Sequence, residues 1–217
     1  MADYAAARRN MVDSQVRTND VTDRRLVAAL SAVRRELFVP PDKRSIAYME
    51  EPLEVIPDRF LLGPRAFAKL VQALDVRETD VVLDVGCATG YSSAVLSRLG
   101  STVVGIEEDP DLYKEAADTL AELGADTAAV VQGKLNQGCA AQGPYDVILV
   151  NGAVQNGLDA LTAQLRDGGR LGVIVMEGAV GRALLMRRAG SSISRRILFD
   201  AVAPLLPGFT KSPSFVF

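Results

Sequence analysis

The residues with the clearest chemical purpose lie in one stretch, Val81 to Ser93, which reads VVLDVGCATGYSS. Strand-forming apolar residues end in the acid Asp84, a tight glycine turn follows, and Tyr91 opens a segment of helical character. Twenty-three residues beyond Asp84, a second apolar run (Thr102 to Ile106) ends in the paired acids Glu107 and Glu108. Strand, glycine turn, helix, strand, acid is the arrangement by which an open parallel α/β sheet holds an adenine nucleoside. The turn lets backbone approach the ligand closely, and the acid at the second strand end accepts hydrogen bonds from both ribose hydroxyls. Glu107 is expected in that ribose role. Glu108 reads as its solvated neighbour or as the start of the next helix.

The loop spacing separates one nucleoside cofactor from another. A dinucleotide site reads G-x-G-x-x-G and sets a pyrophosphate on the helix N-terminus. Here the turn runs Gly86, Cys87, Ala88, Thr89, Gly90, with Asp84 two residues before the first glycine. That D-x-G-x-A-x-G form resembles the first motif of the class I methyltransferases that use S-adenosylmethionine. The resemblance implies a donor without phosphates, whose charged amino-acid part faces the acidic strand end. The alternatives are a plain strand-to-helix turn and, against the glycine spacing, a nicotinamide-dependent dehydrogenase. Cys87 reads as a small loop residue whose backbone matters. Tyr91 is placed either beside the donor or in the core.

Composition narrows the chemistry further. The 217 residues include no histidine, which excludes a His-dependent triad, a His general base and His-ligated zinc. Cys87 and Cys139 form no spaced metal or disulfide framework, and no metal is expected. Methyl transfer from a sulfonium suits these limits, because the protein mainly has to align an electron pair with the methyl group and exclude water. A net charge of −3 gives no global basic field, so no nucleic acid or anionic membrane is expected as partner. The arginine pairs (Arg8-Arg9, Arg24-Arg25, Arg34-Arg35, Arg187-Arg188, Arg195-Arg196) are dispersed among acids and read mostly as solvated surface. No apolar run approaches a membrane span, and MADYAAARRN lacks a signal-peptide core. The cytoplasm is the expected location.

The elements that must hold these residues follow from periodicity. Thr22 is expected to cap a helix in which Leu26, Leu30, Val33 and Leu37 share one face, stopped at Phe38-Val39-Pro40-Pro41. An earlier helix is expected over residues 4–16, residues 42–63 read as turns or short strands, and 65–74 read as a helix entering the sheet. From Asp80 the pattern alternates: strand 81–85, helix 91–99, strand 102–107, helix 110–123, strand 128–132, strand 145–150, helix 157–166, strand 170–176. Asp109-Pro110 supplies an N-cap and N1 proline, and Gly124 can close that helix. Arg182 to Arg188 and Ser194 to Val202 read as two further strands around a turn at Gly190-Ser191. The fold class is therefore α/β, a Rossmann-like, mostly parallel doubly wound sheet with an N-terminal helical extension. Residues 1–64 are assigned to the extension and 65–217 to one compact nucleoside-binding unit.

With these segments placed, the chain resembles the protein-L-isoaspartate O-methyltransferase family over roughly residues 22–205. Residues 33–53 (VRRELFVPPDKRSIAYMEEPL), 143–150 (GPYDVILV) and 164–171 (QLRDGGRL) carry the similarity beyond the glycine loop. The tail, PLLPGFTKSPSFVF, is less familiar. The resemblance implies methylation of an isoaspartyl α-carboxylate in protein repair, with S-adenosyl-L-methionine as cofactor and a peptide or protein as substrate. A carboxylate with a reference pKa of roughly 4 is ionised near neutrality, so no general base is required. Asp84, Gly86, Cys87, Ala88, Gly90, Glu107, Lys134, Leu135 and Asn151 are the donor-site positions this implies.

Three departures from the family pattern bear on the acceptor. Where the family has a threonine-isoleucine-serine segment whose serine is linked to catalysis, this chain has Phe60-Leu61-Leu62-Gly63-Pro64, with Leu62 in the serine's place. Arg59 is a replacement charge for a carboxylate or, in the blander reading, an exposed loop arginine. Gly133-Lys134-Leu135 replaces glycine-aspartate-glycine, putting a cation where adenine's amino group would meet a carboxylate. Asn151 to Asn156 replaces a small-residue and proline segment, with Asn151 keeping a polar group at a strand end. Tyr48 matches a family position and reads equally well as packing. The acceptor thus stays open between isoaspartyl peptide and another carboxylate or small molecule, as does a cofactor-binding protein without isoaspartyl activity. Catalytic residues and oligomeric state are not assigned.

Overall fold

The N-terminal part of the computed structural model, which describes residues 3–211, is helical. Helix α1 (Tyr4–Met11) continues through a wider π-turn over Val12–Val16, and α2 (Arg24–Ala32) follows. Asp23, not Thr22, caps α2, its carboxylate accepting from the Arg25 and Leu26 amides. The helix also ends short of the expected Phe38. Val33 is already extended at ψ 123, and Arg35–Phe38 form a separate 3-10 turn. The break has a physical reason: the Arg35 guanidinium turns inward, donating to the Ala47 carbonyl at 2.7 Å and the Leu62 carbonyl at 2.9 Å.

A short hairpin follows, β1 (Leu53–Ile56) against β2 (Arg59–Leu61), and then α3 (Pro64–Leu74). Proline at the first turn of α3 suits its fixed φ. Gly63, just before it, has no room for a side chain, since a Cβ would lie 1.9 Å from the Glu50 carbonyl oxygen.

The sheet is built from β3 (Val81–Val85), α4 (Tyr91–Leu96), β4 (Thr102–Glu107), α5 (Pro110–Glu122), β5 (Ala128–Gln132), β6 (Tyr145–Val154), α6 (Asp159–Ala163), β7 (Leu165–Glu177), β8 (Val180–Ala189) and β9 (Ser192–Asp200). Its order is β5-β4-β3-β6-β7-β8-β9. The first five run parallel, and β8 and β9 add an antiparallel meander. Val82, Leu83 and Val85 are wholly buried, as a parallel strand covered on both faces requires. The α4 and α6 helices are shorter than their expected spans. In the second case Leu165 already pairs with Tyr145, so β7 starts there rather than at the expected residue 170. Strand order reverses at β3, so the crevice beyond the C-terminal ends of β3 and β6 is where such sheets bind ligands.

The N-terminal helices are not peripheral to this sheet. Val16, Leu26, Leu30 and Phe38 pack in one continuous apolar cluster with Phe67, Leu74, Tyr91 and Val147. Among the described residues no helix is long and apolar enough to cross a membrane.

Candidate functional site

The turn after β3 holds three residues in left-handed conformation: Gly86 at φ 76, Ala88 at φ 50 and Gly90 at φ 93. The Gly86 amide donates to the Ile106 carbonyl at 2.9 Å, and the Gly90 amide to that of Cys87 at 2.8 Å. Gly90 must be a glycine twice over, since its Cβ would also meet Ala116 Cβ at 3.3 Å. Gly105 on β4 is a requirement the sequence reading missed. A Cβ there would lie 2.9 Å from Ser93 Oγ and 3.1 Å from Cys87 Sγ, so its bareness admits the loop. Cys87 is fully buried, and burial raises its thiol pKa, which suits packing rather than thiolate chemistry.

Asp84 ends β3 with no exposed surface. Its Oδ2 accepts from Ser92 Oγ at 2.6 Å and Ser93 Oγ at 2.7 Å. Asn151, at the end of the neighbouring β6, donates from Nδ2 to Ser92 Oγ at 2.5 Å. Both serines went unremarked in the sequence, where only their position on the first turn after the glycines hints at a role. Asp84 Oδ1 and Asn151 Oδ1 are buried with no hydrogen-bond partner among the described residues. Two orphaned acceptors at one end of a crevice are what a primary ammonium group, with three donors, would satisfy.

Burial pushes the Asp84 carboxyl up to about 6, against the lowering effect of its two serine donors and with a further upward push from Glu107. The sign of the linkage follows. A carboxyl raised in the folded state favours folding below its unfolded pKa near 3.8 and costs stability as pH climbs through about 6. Asp84→Asn is therefore expected to stabilise the ligand-free protein at pH 8 by on the order of 2–3 kcal/mol, from about 1.4 kcal/mol per pKa unit. The gain should shrink toward pH 4.5. Urea titrations at both pH values check this, and an equal gain at both would contradict it.

Glu107 is fully buried at the tip of β4 and accepts five hydrogen bonds. The Glu108 and Asp109 amides donate to Oε1 at 2.8 and 3.1 Å, and the Ala88 amide to Oε2 at 3.0 Å. The remaining two come from Arg59, whose Nη1 meets Oε1 while Nη2 meets Oε2 at 2.5 Å. The bland reading of Arg59 as an exposed loop residue is thus corrected. It is 5% exposed, because the β1–β2 hairpin, with Asp58 at φ 62, carries it to the carboxylate tip of β4.

The other expected positions divide. Leu135 is buried beside the glycine turn, its Cδ1 3.6 Å from where a Gly86 Cβ would stand, and its amide donates to Glu108 Oε2 at 3.4 Å. Lys134 is exposed. Tyr91 is a core residue, edge-on to Phe38 at 5.7 Å between ring centroids and under the Arg35 guanidinium at 4.7 Å. Tyr48 donates its hydroxyl proton to Glu36 and accepts from Arg8 Nη1 at 3.2 Å, a structural network away from the crevice. Leu62 is buried and shares a cavity of only about 10 Å³ with Arg59, Asn151, Gly152 and Leu206.

Leu206 is the residue that sequence reasoning could not have placed. Its Cγ lies 2.6 Å from where a Cβ on Gly152 would be, and its Cδ2 lies 3.0 Å from the same point on Gly86. Gly86 and Gly152 leave the bare surface a nucleoside would use, and a leucine covers it. The donor set therefore fits the amino-acid and ribose ends of S-adenosylmethionine in chemistry, while the room between them is taken by this chain's own side chains.

A parallel sheet with an acid at the end of β3, a left-handed glycine turn and a second acid at the tip of β4 defines the class I methyltransferase fold. A solved protein-L-isoaspartate O-methyltransferase superposes with a TM-score of 0.81 at 23% identity, covering 93% of this chain and 66% of that one. A candidate protein-L-isoaspartate O-methyltransferase from Plasmodium falciparum, solved with S-adenosyl-L-homocysteine, gives 0.76 at 17% identity, covering 94% and 99%. The protein-L-isoaspartate(D-aspartate) O-methyltransferase family model matches residues 6–200, and the chain belongs to that family. Relatives with the protein-L-isoaspartate O-methyltransferase name include one from Koribacter versatilis, 32% identical across 97% of this chain and 96% of its own. Another, from Roseiflexus sp. (strain RS-1), is 36% identical across 95% and 94%.

Proposed function

We propose that the protein is an S-adenosyl-L-methionine-dependent O-methyltransferase acting on the isoaspartyl carboxylate of damaged peptides and proteins. Membership of the family over residues 6–200 carries this reading, because the match spans both the donor crevice and the N-terminal approach to it. When bound, the cofactor would supply a methyl group already activated on a sulfonium centre. Asp84 Oδ1 and Asn151 Oδ1 are the acceptors for its ammonium group, and Glu107 is the acceptor for its ribose. Gly86, Cys87, Ala88 and Gly90 bring backbone alongside it, and Leu135 offers an apolar wall for adenine. Lys134 contributes through its backbone. An acceptor carboxylate needs no base from the protein, in keeping with a chain that has no histidine. The surroundings of Leu62 supply positioning and exclusion of water.

Transfer of labelled methyl from S-adenosylmethionine to an isoaspartyl peptide tests this reading. Methylation confined to an unrelated carboxylate or small metabolite would move the acceptor elsewhere while leaving the donor. Leu62 offers a sharper probe. It lines the small cavity at the crevice without a hydroxyl, so Leu62→Ser is expected to raise kcat/KM for isoaspartyl peptide about tenfold, the worth of one hydrogen bond to a charged group. An unchanged rate would place the acceptor carboxylate away from Leu62. We further propose a cytoplasmic site of action.

A further inference from the structure

The crevice is closed from two sides by unrelated parts of the chain. On one side, Arg59 holds both oxygens of Glu107, leaving ribose hydroxyls no acceptor there until the guanidinium departs. On the other, residues 204–211 are laid across the ends of β3 and β6 as a strap. The Leu206 amide donates to the Ala153 carbonyl at 2.8 Å, and the Ala153 amide to that of Pro204 at 2.9 Å. The Gln155 amide donates to the Phe209 carbonyl at 3.0 Å, and Asn136 Nδ2 to that of Gly208 at 3.0 Å. Phe209 is wholly buried as the strap's anchor. Between them, Arg59 and Leu206 leave a cavity of about 10 Å³, too small for more than one water. A ligand pocket takes roughly 300 Å³ or more.

The closure is also imperfectly satisfied, which is what a displaceable contact requires. Among the described residues Arg59 Nε is buried without a partner, and so are Asp84 Oδ1 and Asn151 Oδ1. Each is a polar group that opening would return to water or give to a ligand, so the shut state carries their desolvation cost unrelieved. The strap itself is tied by a handful of backbone hydrogen bonds and two apolar side chains, a small unit of the kind that opens locally without global unfolding.

We propose that Arg59 and the 204–211 strap form an autoinhibitory latch, in which the guanidinium occupies the ribose acceptor and Leu206 occupies the nucleoside's place. Donor binding then requires two displacements: Arg59 from Glu107, and Leu206 from Gly86 and Gly152. Affinity for the donor is lowered by the fraction of molecules that are open. The inference rests on the donor site assigned under Proposed function and concerns its regulation.

Calorimetric titration of the full chain with S-adenosylhomocysteine tests it, comparing the wild type with Arg59→Gln, Leu206→Ala and the double variant. Each single change is expected to tighten binding about tenfold, and the pair about a hundredfold. Leu206→Ala leaves the Arg59–Glu107 pair in place, so it reports even if Arg59→Gln folds poorly. Amide exchange supplies a second readout: saturating S-adenosylhomocysteine should remove the protection of the Leu206 amide in the wild type. Binding by the wild type as tight as by the variants, with that amide still protected, would overturn the latch and leave the donor site standing. No binding by any folded variant would overturn the donor assignment, and the latch with it.

Discussion

Glu107→Ala is expected to lower the stability of the ligand-free protein by about 3–5 kcal/mol, the cost of leaving a buried cation without its partner. Arg59 is 5% exposed and loses the acceptors of both Nη groups, while its Nε already lacks a partner. The Ala88, Glu108 and Asp109 amides lose their acceptor in the same substitution. For a chain of this size the loss corresponds to a fall in Tm of roughly 10 °C. An acid serving only a ligand would be stability-neutral when none is present, so the effect measures the structural role of this side chain by itself. The double variant Glu107→Ala, Arg59→Ala should lose much less than the sum of the single changes, because removing both charges removes the unpaired one. Chemical denaturation of the four proteins measures the coupling. A coupling below about 1 kcal/mol would mean that the pair is solvated like an ordinary surface salt bridge.

Arg35→Ala is expected to cost a comparable 3–4 kcal/mol, for a different reason. Arg35 is 1% exposed and has no carboxylate salt-bridge partner among the described residues, and burial lowers its pKa. What holds it is geometry. Its Nε and Nη2 tie the Ala47 and Leu62 carbonyls together, and its flat face rests on Tyr91 at 4.7 Å. Alanine leaves two buried carbonyls unsatisfied, removes a cation–π contact and opens a cavity against the Tyr91 ring. Arg35→Lys should recover little of the loss, since an ammonium lacks the planar fork that bridges both carbonyls. The functional consequence falls on Leu62, whose carbonyl Arg35 holds, so kcat should fall at temperatures where the variant is still folded. Full rescue by lysine would show that charge alone, not the bridge, holds the segment.

Much of the sheet was legible because its signals are local. The apolar runs of β3, β4 and β5, the glycine spacing between Asp84 and Tyr91, and the Asp109-Pro110 helix start each depend on a few adjacent residues. Where the reading failed, a distant contact had overridden the local pattern. The periodicity of Leu26, Leu30, Val33 and Leu37 predicts a longer α2, yet carbonyls 12 and 27 residues away draw Arg35 inward and end it. Arg59 in a loop between prolines looks like surface, and only its meeting with Glu107, 48 residues on, makes it core.

Composition and local spacing were by themselves sufficient to set the class of the fold and to put Asp84 and Glu107 on adjacent parallel strands around a glycine turn. These follow from backbone requirements, such as left-handed turns and strand burial, that are met by residues next to one another in the chain. Whether the crevice stands open was decided only by the tertiary structure. Its occupants, Arg59 and Leu206, come from segments on either side of the motif, and neither carries a local signature of the space it fills. Burial of a charge and coverage of a bare glycine are properties of the surroundings, and surroundings exist only once the chain has folded.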